Sequence, residues 1–181
     1  IDNNDSFTYN LKHYVDQFAS EVVVSRASEI ELDSIDQFDK IILSPGPGLP
    51  NEHPVLKQVL ARYFNKKPIL GICLGQQAIA EFFNANLENL TTVKHGVTSM
   101  VKHFDNCKLF NDIPESFKIG HYHSWVVSKI NFPEELLITS ENEEGIITSL
   151  NHKKHDITAV QFHPESILTE HGLQLIKNWV L

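Results

Sequence analysis

Sulfur and long apolar runs are both scarce in this sequence. The 181 residues include only two cysteines, Cys73 and Cys107, whereas small secreted proteins that depend on disulfides carry many more. We therefore expect two reduced thiols and a cytoplasmic protein. No apolar run reaches the length of a membrane span, and no signal-peptide pattern opens the chain. The single methionine is Met100, so we expect residues before Ile1 that complete a first strand.

Basic residues are also in the minority. Lysine and arginine number 15 against 23 aspartate and glutamate residues, and the formal net charge is -8. An acidic chain without lysine or arginine clusters does not fit a nucleic-acid-binding surface. Hydrophobic residues make up 41% of the chain, which is enough for a full core at this length. Because no repeat, low-complexity tract or linker interrupts it, the sequence predicts one domain over residues 1–181.

The first half of the chain alternates apolar, β-branched runs with segments of helical periodicity. Strands are predicted at residues 21–24, 40–43 and 68–72, and helices at residues 7–18, 55–64 and 76–83. This order predicts an open α/β sheet, mostly parallel and flavodoxin-like, with helices on its faces. Ligands of such sheets bind beyond the carboxyl ends of the strands.

The second half has short turns between its apolar runs instead of helices. Strands are predicted at residues 97–101, 119–127, 136–139, 145–150 and 157–162. We therefore expect an antiparallel extension of the sheet. A closing helix is predicted from Leu173, Ile176 and Val180, which recur at helical spacing.

Cys73 lies where a predicted strand meets a predicted helix. Gly71 and Gly75 flank it in a G-x-C-x-G pattern. A nucleophile on a sharp strand-to-helix turn needs small neighbours, because the strand and the helix approach closely there. The helix N-terminus also stabilises a thiolate. The pattern predicts a nucleophilic cysteine, and the alternative is a buried structural cysteine.

His163 and Glu165 follow the last predicted strand, with Pro164 between them. A thiol nucleophile needs a base to accept its proton, and that base needs a third group to hold its tautomer. We predict that Cys73, His163 and Glu165 take these three roles. The alternative for the last two residues is a histidine beside a solvated glutamate at the surface.

Acyl transfer to a thiol also needs hydrogen-bond donors for the oxyanion. The backbone N–H of Leu74, directly after the cysteine, is one candidate. The Gly46-Pro47-Gly48 loop follows a predicted strand and could supply the second, because glycine lets backbone amides approach a ligand closely. A tight turn without a ligand is the alternative.

Three motifs in this sequence together resemble the signatures of the class I (triad-type) glutamine amidotransferases. They are Ser-Pro-Gly-Pro-Gly at residues 44–48, Gly-Ile-Cys-Leu-Gly at residues 71–75 with Gln77, and Phe-His-Pro-Glu at residues 162–165. Residues 2–3, 5–11, 95–96, 122–124 and 165–169 are similar to the subgroup that serves chorismate-using enzymes. That subgroup contains anthranilate synthase component II and the glutamine subunit of aminodeoxychorismate synthase. The resemblance runs over nearly the whole chain.

The resemblance implies that Cys73 attacks the side-chain amide of glutamine, forms a γ-glutamyl thioester and releases ammonia. It implies that His163 and Glu165 complete the triad, and that the backbone amides of Gly48 and Leu74 form the oxyanion hole. The residues that it implies for holding glutamine are Gly46, Pro47, Gly48, Gln77, Ser124 and Trp125.

The resemblance also implies a partner protein. That partner is a chorismate-using synthase subunit, which would receive the ammonia and use Mg²⁺, whereas this chain would need no metal or organic cofactor. Anthranilate synthase component I in tryptophan biosynthesis is the first expectation, and aminodeoxychorismate synthase component I in folate biosynthesis is the alternative. Two remoter alternatives are a stand-alone Cys-His γ-glutamyl hydrolase and a non-catalytic module that binds an anion at residues 44–48.

Four residues depart from the subgroup's usual pattern. Asn4 stands at a usual aromatic residue, and Val97 stands at a frequent lysine. Gln76 stands where the subgroup usually has histidine, and Trp125 stands at a frequent leucine.

His121 and His123 alternate on a predicted strand, as two metal ligands would. No carboxylate spacing completes a site, so we expect no metal there. We expect Cys107 to pack as a small apolar residue.

Overall fold

The structure is a computed structural model that describes residues 1–104 and 107–181. Its strands are β1 (Ile41–Leu43), β2 (Ile69–Ile72), β3 (Leu87–His103), β4 (Ser116–Val127), β5 (Leu136–Asn142), β6 (Ile147–His152) and β7 (Ile157–Val160). Its α-helices are α1 (Thr8–Val15), α2 (Pro54–Tyr63), α3 (Leu74–Phe82) and α4 (Gly172–Val180). None of the helices in the described part of the chain has the length and apolar character required to cross a membrane.

The strands form one mixed sheet of seven strands in the order β1-β2-β7-β6-β5-β3-β4. β1, β2 and β7 are parallel neighbours. β6, β5, β3 and β4 continue the sheet through antiparallel pairs. The predicted open α/β sheet with flanking helices and an antiparallel extension is confirmed.

The parallel strands are apolar on both faces because helices cover both sides of the sheet. Ile69 of β2 packs in one cluster with residues of α2 and α3. Leu70 and Ile72 point the opposite way, into a second cluster with residues of α1 and α4. This alternation follows the two-residue period of a strand. Because β1, β2 and β7 are parallel, their carboxyl ends lie at one edge of the sheet, where residues 44–48, Cys73 and residues 163–165 follow them. The predicted Ser124 and Trp125 lie on β4.

The predicted strand at residues 21–24 was wrong. In the described part of the chain its neighbourhood contributes only an isolated parallel bridge, between Asp2 and Arg26. Residues 20–25 instead line a groove of about 360 Å³ whose lining also includes Ile41 and Ile42 of β1. A β-branched run becomes a strand only when a neighbouring backbone supplies hydrogen bonds along its length, and among residues 1–104 and 107–181 no strand pairs with this run.

Candidate active site

Cys73 occupies a strained turn between β2 and α3. Its φ of 52° and ψ of -102° lie outside the ordinary allowed regions, and its N–H donates to the carbonyl of Val160, 2.8 Å away. A Cβ on Gly75 would lie 2.4 Å from the carbonyl oxygen of Leu43, and a Cβ on Gly71 would lie 2.6 Å from the backbone of Gly75. The two flanking glycines are therefore required by close packing of strand and helix.

His163 and Glu165 face each other across a short, buried hydrogen bond. Nδ1 of His163 lies 2.7 Å from Oε1 of Glu165, and both side chains are almost completely shielded from solvent. The hydroxyl of Thr169 donates to the backbone carbonyl of His163 at 2.7 Å. A Cβ on Gly172 would lie 1.8 Å from the Pro164 carbonyl oxygen, so α4 begins directly against this segment. The carboxylate acceptor places the proton on Nδ1 and leaves Nε2 for another partner.

The charge state of His163 depends on its two neighbours. Burial lowers the pKa of His163, but hydrogen bonds toward Cys73 and Glu165, and the negative charges of both, raise it to about 10. Nε2 is buried without a well-formed hydrogen bond of its own. The arrangement therefore favours an imidazolium that faces the sulfur and is held from behind by a carboxylate.

Two aromatic rings hold His163 from the sides, and neither of them was predicted from the sequence to have a role. Phe7, directly before α1, packs edge-on against the imidazole with ring centres 5.6 Å apart. Tyr122 of β4 packs edge-on at 5.0 Å, and its hydroxyl lies 3.1 Å from Oγ of Ser166. Edge-on contacts of this kind restrict the orientation of a ring. Both residues lie in stretches quoted for the family resemblance, which was the available signal.

The loop at residues 44–48 is held in place by contacts with Asn3 and by a hydrogen bond to Glu52 directly after it. Asn3 donates its backbone N–H to Oγ of Ser44 at 2.9 Å and its side-chain amide to the Ser44 carbonyl at 2.9 Å. A Cβ on Gly46 would lie 2.6 Å from that of Asn3, and Gly48 has a φ of +75°. Glu52 accepts a hydrogen bond from the N–H of Leu49 at 2.8 Å. These contacts hold the loop where Gly46, Pro47 and Gly48 line one pocket together with Cys73.

A pocket of about 130 Å³ opens in front of Cys73. Its lining contains every residue that the sequence implied for the oxyanion hole or for glutamine. The lining residues are Gly46, Pro47, Gly48, Cys73, Leu74, Gln77, Tyr122, His123, Ser124 and Trp125. His163 and Glu165 do not line this pocket, and the ring of His163 packs against Tyr122 at its wall.

Gln77 and Gln161 join the pocket to the cysteine. The side-chain amide of Gln77 donates to the carbonyl of Trp125 at 2.9 Å and to Oε1 of Gln161 at 3.2 Å. Gln161 in turn donates to Sγ of Cys73 at 3.5 Å. No role was predicted for Gln161 from the sequence, although a polar residue near the end of the apolar strand predicted at residues 157–162 was a visible signal. Gln76, by contrast, is fully buried with no hydrogen-bond partner on either amide atom.

One cluster in the described part of the chain has the composition of a metal site. The potential ligand atoms of Asp5, His163 and Glu165 all lie within 4.8 Å of one another. A metal ion there would need a ring nitrogen of His163 without its proton, together with the Glu165 carboxylate. Those are the two groups that hydrogen-bond to each other. His121 and His123, the other pair considered, also bond to each other, at 2.9 Å.

The chain is similar over almost its whole length to components of anthranilate synthase and of aminodeoxychorismate synthase. It is 39% identical to anthranilate synthase component 2 of Pyropia yezoensis, over 99% of this chain and 96% of that protein. It is 40% identical to aminodeoxychorismate synthase component 2 of Klebsiella aerogenes, over 99% and 97%. A multifunctional tryptophan biosynthesis protein of Phycomyces blakesleeanus is 41% identical, but the match spans only 24% of that longer protein.

Two solved structures share the fold. A Thermoplasma acidophilum protein assigned as a GMP synthase subunit superposes with a TM-score of 0.89 at 23% identity, over 99% of this chain and 89% of that one. A glutamine amidotransferase of Thermotoga maritima superposes with a TM-score of 0.64 at 18% identity, over 76% and 61%. The family model of the class I glutamine amidotransferases matches residues 1–181. The chain therefore belongs to the class I glutamine amidotransferase family.

Proposed function

We propose that this chain is the glutaminase subunit of a cytoplasmic anthranilate synthase. In this proposal, Cys73, His163 and Glu165 hydrolyse glutamine, and the ammonia passes to a chorismate-using synthase subunit. The observation that carries the proposal is the strained backbone of Cys73 at the base of a pocket lined by residues 46–48. The buried His163–Glu165 pair beside that pocket supports it.

The reaction follows from the positions of these groups. Sγ of Cys73 attacks the side-chain carbonyl carbon of glutamine, and the backbone N–H groups of Gly48 and Leu74 stabilise the oxyanion. His163 then gives its Nε2 proton to the departing nitrogen, which leaves as ammonia while the thioester forms. Water attacks the thioester with His163 as base, and glutamate leaves. Glu165 holds the imidazole in the required tautomer throughout.

No metal or organic cofactor takes part in this chain's steps, because a thiol, a base and hydrogen-bond donors suffice for acyl transfer. The partner subunit would bind Mg²⁺ and chorismate. Ammonia is mostly protonated in neutral water, so its release is most useful next to the site that consumes it and shielded from solvent.

Folate biosynthesis is the second candidate pathway. The similarity to the Klebsiella aminodeoxychorismate synthase component is as high as that to the Pyropia anthranilate synthase component. The two candidates share the glutaminase reaction and differ in the synthase partner. The identity of the aminated product separates them.

A single substitution tests whether this chain hydrolyses glutamine while its partner carries out the chorismate chemistry. The tagged chain is isolated with its partner from its own organism, and synthesis is measured with glutamine and, separately, with ammonium salts. Cys73→Ala should lower glutamine-dependent synthesis by more than about a thousandfold, because it removes the nucleophile. Synthesis from ammonium should remain, because the partner carries out the chorismate chemistry. Anthranilate as product supports the tryptophan pathway, and 4-amino-4-deoxychorismate moves the assignment to folate.

Cys107→Ala is the matched control, since Cys107 is a second buried thiol that lies outside the pocket. It should retain both routes. If Cys73→Ala abolishes both routes in a complex that remains assembled, the proposed division of labour is wrong. Glutamate formation by the isolated chain at the full rate of the complex would instead favour a stand-alone hydrolase.

A further inference from the structure

Two histidines of β4 form part of a buried polar chain next to the pocket. His121 is completely buried and His123 is 6% exposed. Nδ1 of His121 lies 2.9 Å from Nε2 of His123, and Nδ1 of His123 lies 3.2 Å from the carbonyl oxygen of Trp125. At the other end, Nε2 of His121 lies 2.6 Å from Oγ of Ser99. The chain of contacts therefore runs from β3 through β4 to a residue of the pocket.

The Trp125 end of this chain determines which atom donates in each of its hydrogen bonds. The Trp125 carbonyl can only accept, so Nδ1 of His123 carries the proton and its Nε2 is an acceptor. His121 must then donate from Nδ1, and its Nε2 accepts from the hydroxyl of Ser99. Ser99 accepts in turn from the side-chain amide of Asn142 at 3.4 Å. The Asn142 amide is oriented because its oxygen accepts from the N–H of Ile146 at 2.9 Å.

We call the hydrogen-bonded chain from Ser99 through His121 and His123 to Trp125 the relay. It requires both imidazole rings to be neutral, and their surroundings favour the neutral forms. Burial, with the charges of Lys94 and His163, lowers the pKa of His121 to about 4 despite Glu144. Burial, with the charges of His121, His163 and Lys94, lowers the pKa of His123 to about 3 despite its bond to Trp125. With one proton on each ring, every donor in the chain meets an acceptor.

The pairing of β3 with β4 is interrupted where the relay reaches the pocket. Trp125 is opposite Asn89, but His123 is opposite Lys94, so residues 90–93 bulge out beside Ser124. Bulges loosen a ladder locally and occur frequently beside active sites. The Trp125 carbonyl receives two side-chain donors here, His123 and Gln77. The position of this backbone therefore depends on side-chain contacts.

We propose that the relay from Ser99 through His121 and His123 sets the position of the Trp125 carbonyl, and with it the Gln77 amide, and so tunes the pocket's affinity for glutamine. His121 and His123 act here as positioning residues. The inference rests on the proposed glutaminase function, since it names how the pocket of that reaction is held. The stretch at residues 121–125 would then act as one unit in substrate binding.

Two reagents with different demands on the pocket test the proposal on the isolated chain. The glutamine analogue 6-diazo-5-oxo-L-norleucine must occupy the pocket before it alkylates Cys73, whereas iodoacetamide needs only the thiolate. His121→Leu removes the donor to His123. We expect it to lower the second-order rate with the analogue about tenfold, as for one lost hydrogen bond, and to change the iodoacetamide rate less than about twofold.

Two further variants control for structural damage. His121→Asn places an amide N–H close to the position of Nδ1 and should restore the rate with the analogue. Thr139→Val removes a different buried hydrogen bond of the antiparallel strands, to Ser149 at 2.6 Å, and should leave both rates unchanged. Equal rates of His121→Leu and the wild type with the analogue would overturn the proposal. An equal decrease with both reagents would also overturn it, because the thiol rather than the pocket would then be affected.

A measurement on the wild-type chain decides the case if His121→Leu does not fold. Nitrogen-15 NMR of the histidine rings at pH 7 should show both His121 and His123 protonated on Nδ1 and not on Nε2. An Nε2 proton on His123 would overturn the proposal. Failure of the proposed function is a separate result, because the wild-type chain itself would then react with the analogue no faster than free cysteine does.

Discussion

The imidazole of His163 experiences two opposing electrostatic effects. Burial among Phe7, Tyr122 and the backbone disfavours its charged form, whereas Cys73 and Glu165 favour it. The pKa of His163 is raised because the second effect is larger. In the proposed reaction, a protonated His163 would act first as the acid toward the leaving nitrogen and then as the base toward water.

Replacing Cys73 should weaken the effects that raise the pKa of His163. In Cys73→Ala the burial remains, but the hydrogen bond and charge of the sulfur are lost, so the pKa of His163 should fall. NMR titration of the ring should show the wild-type imidazole still protonated at about pH 8, above the ordinary value of 6.5. The variant should lose this proton at lower pH. Superimposable titrations would contradict the coupling, and Cys107→Ala should titrate like the wild type.

The turn from β2 through Cys73 to α3 is an element whose geometry depends on missing side chains. Leu43 of β1 lies against Gly75, and no rotation of a side chain can relieve a clash between a new Cβ and the Leu43 carbonyl. The same contact keeps the start of α3 close to the sheet. The conformation of this turn therefore depends on the neighbouring strand β1 as well as on the turn's own sequence.

Gly75→Ala should destabilise the turn between β2 and α3, and it should cost more stability than a methyl group added at an open position. We expect a loss of about 2–3 kcal/mol in the free energy of unfolding, the cost of overpacking against backbone, together with slower alkylation of Cys73. Gly96→Ala adds the same methyl where nothing lies within 4 Å, at a φ of +66°, and should cost about 1 kcal/mol. Urea denaturation measures both losses. Equal losses would show that the contact with Leu43 is not limiting.

For the whole molecule, burial of polar groups in the antiparallel strands links stability to pH. The pKa values of His121 and His123 are lowered to about 4 and about 3 in the folded chain. Between these values and the ordinary 6.5, the unfolded chain binds more protons than the folded chain does. Stability contributed by the two neutral rings is therefore complete above pH 6.5 and decreases as the pH is lowered.

Acid should destabilise the wild type more steeply than a variant that lacks one of these rings. Well below pH 6.5, each buried histidine contributes up to about 1.4 kcal/mol per pH unit to the slope of the unfolding free energy. His121→Asn should lower the slope between pH 6 and pH 4.5 by about that amount. Denaturation at several pH values measures it. Substitution of the exposed His13 on α1 by asparagine is the control, and a wild-type slope in His121→Asn would contradict the prediction.

Local patterns in the sequence were sufficient for most elements and for the motifs of the site. The helical spacing of α2 and α4, the apolar runs of β2 and β7, and the glycines around Cys73 are each encoded within a few neighbouring residues. The prediction of a strand at residues 21–24 was wrong because a strand also requires a hydrogen-bonding neighbour, and a local sequence pattern does not show whether one is present.

The sequence by itself determined the alternating elements, the acidic composition and the strand-to-helix turn that carries Cys73, because periodicity and turn chemistry act over short stretches. Only the tertiary structure decided that Phe7 and Tyr122 hold His163, that Gln161 reaches the sulfur, and that His121 and His123 lead to the pocket. These contacts join residues from different elements. The order of strands in the sheet and the packing of helices on its faces bring them together, and both arise from burial of the whole chain.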